Sequence, residues 1–157
     1  MTAVIQSNYY VGNGQPYATV NQVLNTLKQA FDSGNYQLPP VSSLNDGDIN
    51  IVLVGNKTFA PIKFPDNLTQ ELANNGRYLA IKRQEYQASG SLVTDSIPII
   101  SPMAQDGSEI DISDKLIGID IGSNNPNVKI IGLKVSGFLI GLSCGSNSNN
   151  LYILRSF

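Results

Sequence analysis

The chain has 157 residues, 41% of them apolar, with 10 Lys and Arg against 12 Asp and Glu and no histidine. This length suits one domain or part of a larger one, and it can bury an apolar core. Because only 14% of the residues are charged, we do not expect the basic patches that bind nucleic acid or membrane surfaces. The lack of histidine excludes a Ser-His-Asp or Cys-His nucleophile and a His-ligated zinc site.

The composition is rich in residues that are typical of turns. The sequence contains 17 Asn, 16 Ser and 14 Gly, and Asn and Gly tolerate positive φ, so many turns between short strands are expected. The single cysteine, Cys144, excludes an intrachain disulfide. The first residues lack the features of a secretory signal, and no run of about 18 apolar residues predicts a membrane-spanning helix.

One segment has the period of an amphipathic helix. Five apolar residues recur on one face of a 3.6-residue period: Val20, Val23, Leu24, Leu27 and Phe31. Thr19 and Gln22 fit a capping box, and Gly34 fits a left-handed stop. The pattern predicts a helix over about 20–32.

Short apolar runs separated by turn residues predict strands from Ile49 onward. The predicted strands are Ile49–Val54, Phe59–Phe64, Tyr78–Lys82, Ile97–Ile100, Leu116–Ile121, Val128–Val135, Leu139–Cys144 and Leu151–Leu154. Before the helix, Ser7–Val11 reads as extended and Gly12–Pro16 as a turn. Residues 66–75 are compatible with either a short helix or a loop.

The C-terminal part contains an internal repeat. Residues 116–134 align with residues 139–157, an offset of 23, at 8 of 19 positions. A repeat of this length with short strands, Gly and Asn turns and no helix suits one coil of a parallel β-helix. Equivalent turn Asn residues can adopt the left-handed conformation and hydrogen-bond along such a stack. Two aligned sets are predicted to point into the core: Ile117, Ile119 and Ile121 over Ile140, Leu142 and Cys144.

From Tyr10 to Phe157 the sequence resembles the N-terminal part of right-handed parallel β-helix proteins of the pectin-lyase-like superfamily. The segments that carry the resemblance occur in family order: Tyr10-Val11-Gly12, Tyr17-Ala18-Thr19-Val20, Asp48–Leu53, Gly55–Phe59 and Asn127–Val135. The resemblance implies an all-β solenoid whose helix at about 20–32 plugs the first coil. It implies an N-terminal strand and helix cap over residues 1–47. The first coils would then occupy residues 48–157. The end of the last of these coils would be followed by the rest of a longer protein or covered by another chain.

The residues that could form a catalytic or ligand-binding site are acidic, basic or aromatic. Many proteins of this fold cleave polysaccharides with Asp and Glu side chains, but glycoside hydrolysis needs two carboxylates at a defined separation. The acidic cluster here is Asp106, Glu109, Asp111 and Asp114. It lacks the ligand order of a calcium loop, which favours a solvated turn. We also predict that Asp120 is solvent-exposed, because it aligns with Ser143 rather than with a second carboxylate.

The remaining candidates also favour structural roles. Lys129 and Lys134 are expected to point outward and to protect a sheet face. Three tyrosines are predicted to pack the capping region: Tyr9, Tyr10 and Tyr17. Gly12-Asn13-Gly14 lacks the remaining residues of a nucleotide fingerprint. No residue is therefore predicted to be catalytic or to bind a cofactor or a metal.

Three classes of function are compatible with these features. The first is a structural bacteriophage tail protein, such as a tail spike, a fibre or a baseplate-associated protein, that helps attach to the host. It would be located in the virion and form homotrimers. Its partners would be other tail proteins and host-surface polysaccharide. The alternatives are the N-terminal part of a polysaccharide-degrading lyase or glycoside hydrolase, and a bacterial surface adhesin. The absence of an export signal favours the first class, because phage proteins leave the cell by lysis. Neither nucleic acid binding nor membrane insertion is expected.

Overall fold

The computed structural model describes residues 2–42, 46–55, 58–84, 97–102, 117–154 and 156. Within these ranges the fold is mostly β, with parallel sheets and two helices. The strands are β1 (Ala3–Val4), β2 (Asn8–Val11), β3 (Tyr36–Gln37), β4 (Ile49–Leu53), β5 (Thr58–Phe59), β6 (Ile62–Lys63), β7 (Leu79–Arg83), β8 (Ile99–Ile100), β9 (Ile117–Asp120), β10 (Val128–Ile131), β11 (Lys134–Val135), β12 (Ile140–Ser143) and β13 (Leu151–Leu154). The helices are α1 (Val20–Ser33) and α2 (Gln70–Asn74).

Three parallel sheets make up most of the structure. Sheet 1 has the order β2-β4-β7-β10-β13, sheet 2 the order β5-β8-β11 and sheet 3 the order β6-β9-β12. The chain visits the sheets in the same sequence each time, from β4 through β5 to β6, then from β7 to β9 and from β10 to β12. We call each such passage a circuit. Strand β13 then returns to sheet 1, beside β10.

The strand register confirms the internal repeat. Val128 lies opposite Leu151 in sheet 1, and Ile117 lies opposite Ile140 in sheet 3, so both pairs are offset by 23 residues. The alignment of two sequence segments therefore corresponds to strands that hydrogen-bond to each other. This agreement explains why the two copies share turn residues, because stacked turns need the same backbone conformation.

The core lies between the sheets. In sheet 1, Ile51, Ile81 and Ile130 occupy successive strands in register, and each is at most 1% exposed. The neighbouring column, Ile49, Leu79 and Val128, is fully buried. Apolar side chains of similar size thus stack in rows across parallel strands, which suits a sheet that is covered on its inner face.

Helix α1 spans Val20–Ser33, which agrees with the predicted 20–32 to within one residue. The Thr19 hydroxyl accepts a hydrogen bond from Gln22 N, and the Gln22 side chain accepts one from Thr19 N, so the predicted capping box is present. The helix ends at Ser33 and is capped by Gly34, whose φ of 69° lies in the left-handed region. The five apolar residues predicted for one face are all buried.

Helix α1 also docks onto the first circuit through a polar side chain. The Asn21 amide nitrogen donates to Pro61 O at 3.2 Å, and its oxygen accepts from Lys63 N at 2.9 Å. Strand β6 is the outermost strand of sheet 3 on this side. Asn21 therefore satisfies a backbone group that an edge strand would otherwise present to solvent.

Several predicted strands are shorter than expected. The predicted Phe59–Phe64 is two strands, β5 and β6, separated around Pro61, which has no backbone N–H to donate. The predicted Val128–Val135 is likewise divided at Gly132, whose φ is 72°. These interruptions are the corners where the chain passes from one sheet to the next. The segment 66–75, left open by the sequence, contains the short helix α2.

Candidate functional site

Two of the described acidic residues hold the turn that follows β9. The predicted cluster Asp106–Asp114 lies outside the described residues. Asp120 is half-buried, not solvent-exposed as predicted, and its Oδ1 accepts from Gly122 N at 3.0 Å. Asp66 Oδ1 accepts from Ser123 N at 2.9 Å. Both carboxylates stabilise the turn that follows β9, and this local role explains the partial burial of Asp120.

Asp48 fixes a loop against sheet 1. It is only 6% exposed, and it accepts hydrogen bonds from Ser42 N at 2.7 Å and from Tyr78 N at 3.0 Å. Gly47 lies on the outer face of the sheet, where a β-carbon would be 2.6 Å from Ala80 N. In the ranges that the structure describes, no three Cys, Asp or Glu residues form a group suited to a metal ion.

Lys129 is held on the outer face of sheet 1. Its Nζ lies 4.8 Å from the centroid of the Tyr78 ring and 6.0 Å from that of Tyr152, and it donates to Asp46 O at 3.2 Å. The Asp46 carboxylate also forms an ion pair with Lys82 at 3.3 Å. Lys129 therefore links two circuits to the loop through cation–π and hydrogen-bond contacts.

We predict that Lys129→Met lowers the free energy of unfolding by about 0.5–2 kcal/mol, because methionine keeps an apolar stem and loses the cation. The measurement is urea denaturation. Lys134→Met is the matched control, since Lys134 is exposed and its loss should change stability by no more than about 0.5 kcal/mol. Equal stabilities of the two variants would contradict a clamping role for Lys129.

Two tyrosines and one glycine make close contacts around β2, the first strand of sheet 1. Tyr9 packs edge-on against Tyr17 with ring centroids 5.8 Å apart, and its hydroxyl accepts from Gln6 N. Tyr10 is 42% exposed on the outer face, so the prediction that it packs the capping region is wrong. Strand alternation turns it outward, away from Tyr9.

At Gly12 a β-carbon would lie 2.9 Å from Val54 O, so this position needs glycine for close backbone approach.

The prediction for Cys144 is also wrong. Cys144 was expected to replace Ile121 in the core, but it is exposed, and its Sγ donates to Ser148 O at 3.4 Å. Ile121 itself is 1% exposed. The difference arises because Ile121 has a circuit on both sides, whereas the described residues provide no strand beyond β12.

A buried asparagine organises the corner between sheets 3 and 1. The Asn125 side chain is 1% exposed; its oxygen accepts from Leu68 N and Thr69 N, and its nitrogen donates to Pro65 O and Ile121 O. Its backbone N–H donates to the hydroxyl of Ser148 in the next circuit. No sequence pattern indicated this network, because its partners lie up to 60 residues apart.

Two columns of asparagines stack along the corner. Asn67, Asn124 and Asn147 all have φ between 57° and 62°, and Asn127 and Asn150 have φ of 60° and 56°. The side chain of Asn147 donates to Asn124 Oδ1, and that of Asn150 donates to Asn127 Oδ1, each at 3.0 Å. The left-handed turns and side-chain bonds expected from the repeat are therefore present. We call these two side-chain contacts the asparagine ladder.

The last circuit exposes an apolar sheet edge. Strands β12 and β13 terminate sheets 3 and 1 on the side opposite β6 and β2. Large apolar residues on or beside them are exposed by 40–79%: Leu139, Ile140, Tyr152, Ile153 and Leu154. We call β12, β13 and Leu139 the open edge. Because exposed apolar surface of this kind marks interaction sites, the open edge is the candidate functional site.

Comparisons with known proteins identify no relative of this chain. No family model, no curated protein and no solved structure matches the chain. Among the described residues, neither helix has the length and apolar character needed to cross a bilayer.

Proposed function

We propose that the three sheets are the first coils of a right-handed parallel β-helix that α1 caps. We propose further that this β-helix is a structural component of a bacteriophage tail that helps attach to the host surface. The observation that carries the proposal is the difference between the two ends of the sheets. Helix α1 and Asn21 cover the first circuit, whereas the last circuit presents an open apolar edge. Exposed apolar surface of this kind is typical of proteins that work within an assembly.

The carboxylates also favour a structural role over catalysis in the described ranges. Each described acidic side chain has a hydrogen-bond or ion-pair partner within the fold: Asp32, Asp46, Asp48, Asp66, Glu71 and Asp120. Glu71 accepts from the Tyr36 hydroxyl, and burial together with this hydrogen bond raises the pKa of Tyr36. The described carboxylates thus have partners within the fold, while the choice of a phage tail rests on the resemblance noted in the sequence.

Immunogold labelling tests the location. An antibody raised against this chain is applied to purified phage particles from the encoding strain, and we expect gold on the tail. The same antibody after absorption with the purified chain is the control. Gold on the surface of uninfected cells and none on particles would instead favour the adhesin, and would overturn the tail assignment.

Two solution measurements test the remaining parts of the proposal. Light scattering should give a stable homotrimer, and a lone monomer at all concentrations, with no binding to other tail proteins, would contradict the assembly role. Incubation with host capsular polysaccharide should release no reducing ends. Release that is lost when carboxylates are changed to amides would establish the alternative, a polysaccharide-degrading enzyme.

A further inference from the structure

The sequence contains two Asn-Gly pairs, Asn13-Gly14 and Asn75-Gly76. At such a pair the backbone nitrogen of the glycine can attack the side-chain carbonyl carbon of the asparagine, because glycine has no β-carbon to obstruct the approach. The attack closes a five-membered succinimide ring and expels ammonia. It requires a backbone nitrogen and a side-chain amide that are not hydrogen-bonded, and a backbone that can rotate. The surroundings of each pair therefore decide its reactivity.

The pair Asn13-Gly14 meets these requirements. Both residues are exposed. The hydrogen bonds among the described residues include none from Gly14 N and none that involve the Asn13 side chain. A β-carbon built on Gly14 would have no atom of the described residues within 4 Å. This turn can therefore bring the glycine nitrogen against the asparagine side chain without breaking a contact.

The pair Asn75-Gly76 is also exposed, but both reacting groups are held. The Asn75 amide nitrogen, which would leave as ammonia, donates to Glu71 O at 2.8 Å. The attacking atom, Gly76 N, donates to Ala73 O at 3.0 Å. Both acceptors belong to α2, so the end of this helix must open before the attack can occur. Exposure does not distinguish the two pairs, whereas their hydrogen bonds do.

We propose that Asn13 is a site of spontaneous deamidation, with water as the co-reactant. The Gly14 nitrogen gives up its proton to solvent and bonds to Asn13 Cγ. The bond between Cγ and Nδ2 breaks, and the amide takes up a proton and leaves as ammonia. Water then opens the succinimide at one of its two carbonyls. One opening gives aspartate, and the other gives isoaspartate, whose backbone passes through Cβ and Cγ. Either product makes the formal net charge of −2 more negative by one unit.

Isoaspartate lengthens a turn that two hydrogen bonds close. Gln15 N donates to Gly12 O at 3.2 Å, and Gly12 N donates to Tyr17 O at 2.9 Å. The extra backbone atom lies inside both loops. Gly12 has little room to adjust, because it approaches Val54 O closely. Since Tyr17 leads into α1, the isoaspartyl form should have a less stable connection between β2 and the capping helix.

The test compares the two pairs within one sample. The full chain is kept at neutral pH and body temperature for several weeks, and tandem mass spectrometry of tryptic peptides follows the acidic forms. Cleavage after lysine and arginine places Asn13 and Asn75 in different peptides. We expect Asn13 to be converted about tenfold faster than Asn75, because two hydrogen bonds oppose the reaction at Asn75.

The chain unfolded in guanidinium chloride is the control. Unfolding frees both pairs, so their rates should become similar. Equal rates in the folded chain, or faster conversion of Asn75, would overturn the proposal. An excess at Asn13 that persists unchanged in the unfolded chain would also overturn it, because neighbouring residues rather than the fold would then set the rate.

The variant Asn13→Asp isolates the effect of the extra backbone atom. It carries the charge of the deamidated chain on an ordinary backbone. The deamidated fraction, separated by anion exchange, should melt about 2–4 °C below this variant, because the isoaspartyl turn loses a hydrogen bond. Identical melting temperatures would contradict the effect on the connection to α1. None of these outcomes depends on the tail assignment.

Discussion

Asn125→Ala is expected to lower the free energy of unfolding by about 3–5 kcal/mol, the largest effect we predict for a single polar side chain. Alanine removes the two hydrogen bonds that the side-chain oxygen accepts from Leu68 N and Thr69 N. It also removes the two that the side-chain nitrogen donates to Pro65 O and Ile121 O. Each buried backbone group left without a partner costs roughly 1–3 kcal/mol, and relaxation of the corner reduces the sum. Urea denaturation measures the difference.

Asn149→Ala provides the comparison for this variant. Asn149 lies in the next circuit close to Ser148, the residue that occupies the position equivalent to Asn125, and its side chain is exposed. Its truncation should change stability by no more than about 0.5 kcal/mol. If both alanine variants unfold at the same urea concentration, the corner network does not stabilise the fold and the interpretation of Asn125 is wrong.

Leu24→Ala is expected to lower the free energy of unfolding by about 2–5 kcal/mol, the usual range for truncating a buried leucine. Leu24 is fully buried on the apolar face of α1. The loss leaves a cavity between the helix and the core, so the first circuit is less well covered. Thermal denaturation followed by circular dichroism measures the change.

Asn25→Ala controls for the helix itself. Asn25 is exposed on α1, and alanine has the higher helix propensity, so this variant should be neutral or slightly more stable. Hydrogen exchange adds a second readout, because a helix that belongs to the same cooperative unit as the sheets should lose protection together with β4 and β7. Protection of β4 and β7 that persists after α1 has opened would contradict this coupling.

The helix and the repeat were predictable because their signals are local or periodic. The apolar residues of α1 recur at helical spacing, and Thr19 and Gln22 form a motif within four residues. The 23-residue offset was visible because stacked circuits need the same turn residues at the same places. Asparagine's tolerance of positive φ accounts for the correct expectation at Asn127 and Asn150.

The remaining contacts were not predictable because they join residues from different circuits. Asn125 bonds to residues 56–60 positions earlier, and Lys129 bonds to a residue 83 positions earlier. Contacts between residues so far apart in the sequence leave no local pattern that could predict them. The error at Cys144 has a different origin, since the inward assignment assumed that every circuit has a neighbour on both sides.

The asparagine ladder has a consequence for how the proposed β-helix forms. Circuits in a stack contact only their neighbours, and the N-terminal part of a chain leaves the ribosome first. Helix α1 and the first circuit are therefore available as a template before the later circuits exist. Each new circuit then meets asparagine side chains of the preceding circuit that are already in place.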